Sequence, residues 1–349
     1  MAISKLTIQE FITGASNALV LDVRSPGEYR HAHIPGAYPL PLFTDDERKV
    51  VGTAYKQESR EKAIKLGLGF FGPKMVTLVE EVQALLAKIS VSGTERPRII
   101  VHCWRGGMRS AGVAWLLDLY GFEVYTLTGG YKAWRNWALQ QFSKPWPLLV
   151  TGGYTGTGKT GILLQLRKQG HPVIDLEGLA SHRGSAFGDL PGATPPSQEM
   201  FENLLATELH RFAGEDNIWI EDESQRIGPV NIPTEFFRLM HTAPLYFIEI
   251  PFEERLGHII KEYGDLEKEQ LTNAILRIRK RLGGLEAKTA ISFLAENNIP
   301  ECFRVLLTYY DKLYRKSLQQ RVATTVELEK VDPVANTSSL LQRTLQTHD

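Results

Sequence analysis

A glycine-rich loop constrains the fold of this 349-residue chain more than any other stretch of its sequence. Residues 151–160 read Thr-Gly-Gly-Tyr-Thr-Gly-Thr-Gly-Lys-Thr and fit the pattern Gly-x-x-x-x-Gly-Lys-[Ser/Thr] from Gly153 onward. An apolar run at 147–150 predicts a strand before the loop, and residues 162–170 predict a helix that ends on a glycine after it. This succession indicates an α/β fold built around a phosphate-binding loop, and a chance glycine-rich turn is the weaker interpretation.

The residue types of the loop suit a phosphate group. Glycines let successive backbone N–H groups approach phosphate oxygens, and the helix N-terminus adds a favourable dipole. Lysine supplies a point charge, and the threonine hydroxyl suits Mg²⁺ or a phosphate oxygen. We therefore predict a phosphate or diphosphate site at Gly153, Gly156, Gly158, Lys159 and Thr160. The pattern indicates phosphate binding but carries no information about an adenine base, so the identity of the phosphate-containing ligand stays open.

The chain is long enough for two domains of ordinary size. We predict a first domain at residues 1–140, a short proline-containing linker at 141–147, and a P-loop domain with a helical C-terminal part at 148–335. A polar tail at 336–349 is expected to be poorly ordered.

Composition narrows the class of protein. The net formal charge is zero, so RNA binding would need a local basic patch. Cys103 and Cys302 lie far apart in sequence, which favours neither a disulfide framework nor a cysteine-based metal site. Because the sequence has no long apolar run and no signal-peptide pattern, we expect a cytoplasmic protein without membrane association.

The first domain alternates short apolar strands, at 18–23, 98–102 and 123–127, with helical segments, which indicates a parallel sheet. Cys103 follows the second of these strands in a loop that opens a helix, the position of a nucleophile. The helix dipole, Arg105 and Arg109 favour its thiolate, and the loop amides would cradle a sulfur-, selenium- or phosphorus-centred oxyanion. The alternative is a buried structural thiol, which fits Cys302 and its apolar neighbours better.

Two further segments of the second domain are candidates for ligand contacts. A predicted strand at 217–224 ends in acids, and Glu221 or Asp222, with Glu223 as a substitute, would position Mg²⁺ in a P-loop protein. Acids at a strand end are also frequent without a catalytic role. The loop 176–188 carries His182 and Arg183, and an added cation for the phosphate and an ordinary surface loop are equally good interpretations.

Two basic regions suit an RNA backbone. One is the helical stretch 51–68 with Tyr55, Lys56 and Arg60. The other lies at 277–316, where arginines and lysines alternate with tyrosines. Phosphate contacts and base stacking use these residue types, but solvated helix faces use them too, and both interpretations stay open.

Several motifs of the first domain resemble a rhodanese domain. They are Leu-Asp-Val-Arg-Ser-Pro-Gly-Glu-Tyr at 21–29, His-Ile-Pro-Gly-Ala at 33–37, the cysteine loop, and Gly-Gly-x-x-x-Trp at 129–134. Cys103 to Arg109 spans seven residues, not the usual six, as in rhodanese-related phosphatases and arsenate reductases. The wider loop should hold a tetrahedral, phosphate-like anion. Ala32 stands where the pattern usually has glycine.

The order of the two domains carries a second resemblance, to the tRNA 2-selenouridine synthase family. Cys-Trp-Arg-Gly-Gly-Met-Arg-Ser at 103–110 precedes the phosphate loop. Further motifs are Val-Gly-Thr-x-Tyr-Lys at 51–56, Glu-Asp-Glu-Ser-x-x-Ile-Gly at 221–228 and Arg-Leu-Gly-Gly at 281–284. This resemblance implies a tRNA-modifying transferase that replaces sulfur by selenium in 2-thiouridine at the wobble position. It also implies selenophosphate as selenium donor, a functional link to selenophosphate synthase, and an S-geranyl intermediate made from geranyl diphosphate by a tRNA geranyltransferase activity.

On this resemblance we assign the phosphate loop to the diphosphate of geranyl diphosphate. The Cys103 loop, with Arg105 and Arg109, is assigned to selenophosphate and to catalysis. The main alternative is an ATP-dependent sulfurtransferase or kinase acting on a small molecule or tRNA, and a further one is a tRNA-binding adaptor whose cysteine is a sensor.

Overall fold

The structure is a computed structural model that describes residues 3–14, 18–89, 98–182, 194–318 and 321–348. It divides into two compact units, Met1–Gln141 with Glu202–Thr207, and Phe142–Phe201 with Glu208–Asp349. Among the described residues, no helix combines the length and the apolar character needed to cross a lipid bilayer.

The first unit is built on a parallel five-stranded sheet in the order β1-β5-β4-β2-β3. Its strands are β1 Ser4–Leu6, β2 Ala18–Asp22, β3 Tyr38–Pro39, β4 Arg98–His102 and β5 Val124–Leu127. Its helices are α1 Ile8–Gly14, α2 Pro26–His31, α3 Asp45–Gln57, α4 Arg60–Phe71, α5 Met75–Ile89, α6 Met108–Tyr120 and α7 Gly130–Gln141. The central strands β2 and β4 are apolar and buried along almost their whole length, as a sheet covered on both faces requires.

The basic stretch at 51–68 is helical as predicted, but it comprises parts of two helices. Helix α3 ends at Gln57, and α4 begins at Arg60 after the N-cap Ser59, whose side chain accepts a hydrogen bond from the backbone N–H of Lys62. The cap satisfies one of the free N–H groups at the start of α4, which stabilises the break.

The second unit contains another parallel five-stranded sheet, in the order β12-β11-β6-β8-β7. Its strands are β6 Leu148–Gly153, β7 Val173–Ile174, β8 Ile218–Glu221, β11 Leu245–Glu249 and β12 Ala323–Glu327, and a small antiparallel pair is formed by β9 Arg226–Ile227 and β10 Val230–Asn231. The central strand β6 is buried at every residue. The phosphate loop begins where β6 ends, so it lies at the carboxyl edge of the sheet, where ligands of such folds bind.

The helices of the second unit are α8 Lys159–Lys168, α9 Leu176–Ala180, α10 Gln198–Arg211, α11 Thr234–Thr242, α12 Phe252–Tyr263, α13 Lys268–Leu282, α14 Gly284–Ala295, α15 Ile299–Leu318 and α16 Pro333–His348. Residues 202–207 of α10 group with the first unit. Helices α12 to α15 share an apolar core that includes Cys302 and Phe303. The predicted α/β class, with a parallel sheet in each half and a helical C-terminal part, is confirmed.

The C-terminal residues differ from the poorly ordered polar tail expected at 336–349. Residues 336–348 belong to α16, where Leu340 is fully buried in a core with Ile162 and Leu166 of α8. The Thr337 hydroxyl donates a hydrogen bond to the Pro333 carbonyl of its own helix. A short apolar stripe in a polar segment is enough to dock a helix once a neighbour covers it, and composition does not reveal that neighbour.

Candidate functional site

The cysteine loop of the first unit lies between β4 and α6. The Tyr131 N–H donates to the Cys103 carbonyl at 2.9 Å, and the Lys132 N–H donates to the Trp104 carbonyl at 3.0 Å. A Cβ on Gly130 would lie 2.2 Å from the Cys103 oxygen, and its φ is +57°, so this close approach requires glycine. The Gly-Gly turn therefore holds the first two carbonyls of the loop.

The Cys103 thiol is buried and surrounded by hydrogen-bond donors. Its Sγ accepts from the Gly107 N–H at 3.3 Å and lies 3.3 Å from the Ser110 hydroxyl oxygen. Burial raises the pKa of Cys103, but the Ser110 hydroxyl and amide, the Arg109 charge and the Gly107 amide outweigh it and lower the pKa overall. At Cys302, by contrast, burial alone raises the pKa to about 11. The surroundings favour a thiolate at the first cysteine and a thiol at the second.

Arg109 is held by a carboxylate that the sequence analysis did not single out. Its Nη1 donates to Glu28 Oε2 at 2.7 Å, and Arg48 lies 3.5 Å from the other oxygen. Burial raises the pKa of Glu28, but Arg109, the Ser25 amide and Arg48 together lower it to about 2. Glu28 therefore stays ionised and positions the cation that stabilises the thiolate. Arg105 is exposed and forms no ion pair with any described residue, so its role stays a prediction.

A buried ion pair between Arg24 and Asp22 lies near the same loop, and the sequence motifs did not indicate it. Arg24 donates to Asp22 Oδ2 at 2.6 Å and to the Ala32 carbonyl at 2.7 Å, and its guanidinium lies 4.0 Å from the Tyr131 ring centroid. Ala32 has an extended backbone with φ of −166°, which any residue can adopt, so this position does not need glycine. Through Arg24, the motif at 21–29 thus packs against Tyr131, the residue that follows the Gly-Gly turn of the cysteine loop.

The phosphate loop of the second unit has the backbone that its glycines predict. Gly153, Gly156 and Gly158 have φ of +155°, +84° and +75°. A Cβ on Gly156 would lie 2.8 Å from the Arg255 carbonyl, so a side chain there would collide with α12. The loop ends at the N-terminus of α8, whose first N–H groups have no partner within the helix.

Lys159 turns back over the loop. Its Nζ donates to the Gly153 carbonyl at 2.9 Å and lies 5.5 Å from the centroid of the Tyr314 ring. Burial lowers the pKa of Lys159, and the nearby carboxylates, Glu223 first among them, offset this lowering only in part. Thr160 is exposed at the first turn of α8, where its hydroxyl is accessible to a ligand.

The three acids after β8 have different environments. Glu221 is buried and accepts the Glu177 N–H at 2.8 Å, while Asp222 pairs with Arg321 at 2.6 Å. Burial and the neighbouring acids raise the pKa of Glu221 well above its ordinary value and that of Glu223 to about 8. Asp222 already has a cationic partner in Arg321, and Glu221 is 2% exposed.

A magnesium ion would have to rely on few protein ligands here. In the ranges that the structure describes, no three His, Cys, Asp or Glu side chains converge to hold a metal ion. Mg²⁺ commonly binds through one or two protein ligands together with substrate phosphates. The Thr160 hydroxyl and one of the acids after β8 could supply these, so Mg²⁺ stays a prediction.

Arg183 lies outside the described residues. Its neighbour His182 packs on Gly228, where a Cβ would lie 2.5 Å from the imidazole ring. Arg226 donates to the Gly228 carbonyl at 3.0 Å and is exposed.

Arg255 is the main functional candidate of this unit that the sequence did not indicate. It is 3% exposed, pairs with both oxygens of Asp311 at 2.9 and 2.7 Å, and donates to the Thr155 carbonyl at 3.1 Å. Its guanidinium lies 4.9 Å from the Tyr154 ring centroid. One side chain thus joins α12, α15 and the phosphate loop, and no local sequence pattern predicts such a contact.

The side chains of the two predicted basic regions differ in how far they are exposed to solvent. Tyr55, Lys56 and Arg60 are exposed on α3 and α4. In α15 the tyrosines are partly used in packing, since Tyr309 contacts Tyr310 and Tyr314 contacts Tyr154.

Comparison with known proteins identifies relatives of the whole chain. The sequence profile described as the tRNA 2-selenouridine synthase AAA domain matches residues 146–343, and that of the rhodanese-like domain matches residues 7–136. A tRNA 2-selenouridine synthase of Bdellovibrio bacteriovorus is 34% identical, with 89% of this chain and 91% of that protein aligned. That of Hydrogenovibrio crunogenus is 36% identical over 87% of this chain and 90% of the relative.

Proposed function

This chain belongs to the tRNA 2-selenouridine synthase family, and on that premise we propose how its two loops divide the reaction. It is a tRNA-modifying enzyme that forms 2-selenouridine at the wobble position. We propose geranyl diphosphate and selenophosphate as its small substrates. In this scheme the sulfur of 2-thiouridine first bonds to the geranyl group and diphosphate leaves. The selenium of selenophosphate then attacks C2, geranylthiolate leaves, and hydrolysis of the P–Se bond releases phosphate.

The phosphate loop is the proposed site of the diphosphate. Its positive-φ glycines, the N-terminus of α8 and the Lys159 ammonium all favour an anion with several oxygens. Diphosphate develops negative charge as it leaves, so a preorganised cation and backbone N–H groups would stabilise the transition state of geranyl transfer.

The Cys103 loop is the proposed site of selenophosphate. The observation that carries this assignment is the Sγ held between the Gly107 N–H and the Ser110 hydroxyl, beside Arg109. A thiolate at the N-terminus of α6 would direct the selenium of selenophosphate without bonding to it, and the same donors would bind the phosphate group. Arg105 is proposed to contact this anion from the exposed side of the loop.

The enzyme would act in the cytoplasm, close to a selenophosphate synthase that supplies its selenium donor. The seven-residue span from Cys103 to Arg109 supports a tetrahedral oxyanion as the ligand.

The test is nucleoside mass spectrometry of tRNA bearing 2-thiouridine after incubation with the protein, selenophosphate and geranyl diphosphate, without ATP. We expect 2-selenouridine from the complete mixture and S-geranyl-2-thiouridine when selenophosphate is omitted. A strict requirement for ATP would replace this assignment with an ATP-driven sulfurtransferase or kinase.

Two variants test the geranylation step and the selenation step separately. Cys103→Ala should still form the S-geranyl nucleoside and lose selenation, whereas Lys159→Ala should lose geranylation. Cys302→Ala is the matched control, because Cys302 lies in the core of α12 to α15, and it should keep both steps. Selenation at the wild-type rate by the Cys103→Ala variant would contradict the role given to that cysteine.

A further inference from the structure

Helix α15 presents two faces with different chemistry. Its inner face carries Phe303 and Leu307 in the helical core, then Asp311, which pairs with Arg255, and Tyr314, which lies beside Lys159. These positions follow the period of an α-helix, so the same side of α15 runs from the apolar core to the phosphate loop.

The other face carries three cations, Lys312, Arg315 and Lys316, which we call the α15 basic face. All three are exposed, and none of them forms an ion pair or hydrogen bond with another residue in the described part of the chain. The arginines around them are engaged, since Arg304 pairs with Glu253 and Arg321 with Asp222. The three cations therefore form a patch of positive charge that no residue with a described position neutralises.

The α15 basic face lies close to the phosphate loop. At 3.6 residues per turn, Lys312 and Lys316 lie on the side of the helix opposite Tyr314, whose ring centroid is 5.5 Å from Lys159 Nζ. The distance across the helix is about 10–12 Å with side chains. A polyanion on the outer side is thus about one helix diameter from the phosphate site, and an unstacked loop base can be splayed out over such a span.

We propose that the α15 basic face binds the sugar-phosphate backbone of the tRNA and so presents the wobble nucleotide to the phosphate loop. This inference deepens the proposed function, because it takes the P-loop unit as the place where the nucleotide meets the diphosphate donor. The occupant follows from charge: tRNA is the substrate of the family, and its backbone is the polyanion that three unpaired cations on one helix face fit.

The test is the affinity of the full-length protein for tRNA bearing 2-thiouridine, measured by fluorescence anisotropy over a series of salt concentrations. The variant Lys312→Ala/Arg315→Ala/Lys316→Ala should raise Kd at least about tenfold at low salt. It should also reduce the slope of log K against log salt by about 2 to 3, since each lost phosphate contact removes roughly 0.7–0.9. The control Lys168→Ala/Lys261→Ala/Lys268→Ala removes the same charge from exposed positions on α8, α12 and α13 and should change neither quantity.

Three results would overturn the proposal. They are an unchanged Kd in the α15 variant, an equal loss in the control, and a lower melting temperature with unchanged tRNA affinity. The last would mean that the cations serve only the C-terminus of the helix. The charge-preserving variant Lys312→Arg/Lys316→Arg should bind tRNA as the wild type does, and a loss of binding there would also contradict a backbone contact. The test measures tRNA binding without turnover. Its result can therefore be interpreted even if the proposed geranylation and selenation steps are wrong.

Discussion

The two cysteines of this chain are both buried, yet their neighbours make them chemically different. Around Cys103 lie two backbone amides, a hydroxyl and an arginine, and these lower its pKa despite burial. Around Cys302 lie apolar side chains of the helical core, and burial acts alone. Reactivity is therefore decided by the few atoms within hydrogen-bond distance of the sulfur and not by burial as such.

Replacing Ser110 by alanine should raise the pKa of Cys103. The hydroxyl 3.3 Å from Sγ stabilises the thiolate, and its loss removes that stabilisation while the Arg109 charge and the Gly107 amide remain. The rate of iodoacetamide alkylation of Cys103 should thus reach its midpoint at a higher pH in Ser110→Ala than in the wild type.

Mass spectrometry of the alkylated peptides checks this and contains its own control. Cys302 should remain unmodified at neutral pH in both proteins, because its pKa is raised to about 11. An identical pH profile for Cys103 in the two proteins would show that the hydroxyl does not support the thiolate.

The phosphate loop depends on elements that follow it by about a hundred residues. Arg255 of α12 donates to the Thr155 carbonyl and pairs with Asp311 of α15, so two helices hold one loop. Breaking a buried ion pair by removing one partner costs about 3–5 kcal/mol, because the remaining charge is left buried without compensation.

Replacing Arg255 by methionine should lower both the stability of the protein and its affinity for inorganic diphosphate. The stability loss is expected at about 3–5 kcal/mol in urea unfolding, and the affinity loss follows from the released loop carbonyl. Isothermal titration calorimetry with inorganic diphosphate measures the second effect.

Arg238→Met is the matched control for this prediction. Arg238 pairs with Glu235 on the surface, with 69% and 59% of the two side chains exposed. Exposed pairs of this kind contribute at most about 1 kcal/mol. If Arg255→Met bound diphosphate as tightly as this control, α12 would not position the loop.

Across the whole molecule, two partly buried carboxylates make stability depend on pH in opposite directions. The folded-state pKa of Glu28 is lowered from 4.5 to about 2, and that of Glu223 is raised from 4.5 to about 8. Stability rises with pH wherever the unfolded chain binds more protons and falls where the folded protein binds more. Glu28 therefore stabilises the fold above pH 4.5, whereas Glu223 does so below it.

Glu28→Gln should destabilise the protein at neutral pH and lose that effect in acid. The stabilisation by ionised Glu28 is fully present above its ordinary pKa of 4.5 and disappears as the pH falls towards about 2. Thermal unfolding at pH 7, 4 and 2.5 measures the difference between wild type and variant. A difference that stayed constant over this range would show that the carboxylate charge is not responsible.

Glu223→Gln should have the reverse profile. Wild-type Glu223 loses its stabilising proton as the pH rises from 4.5 through about 8, whereas glutamine stays neutral. The variant should therefore melt at the wild-type temperature near pH 5 and at a higher temperature near pH 9. The exposed Glu269→Gln serves as control and should match the wild type at both values.

The sequence alone determined the two α/β units, the phosphate loop and the cysteine loop, because local interactions create them. Glycine torsions, a helix N-terminus and an apolar strand before each loop are encoded within about twenty residues, so a motif predicts them directly. The order of the two motifs also indicated the family that the comparisons show.

Only the tertiary structure decided which side chains complete these sites. Arg255 meets Asp311 across 56 positions, Arg321 meets Asp222 across 99, and Arg109 meets Glu28 across 81. No periodicity or local motif encodes contacts over such separations, because they arise when distant elements pack together. The same reason explains why a polar C-terminal segment became helix α16, whose apolar stripe gains stability only from the helix that covers it.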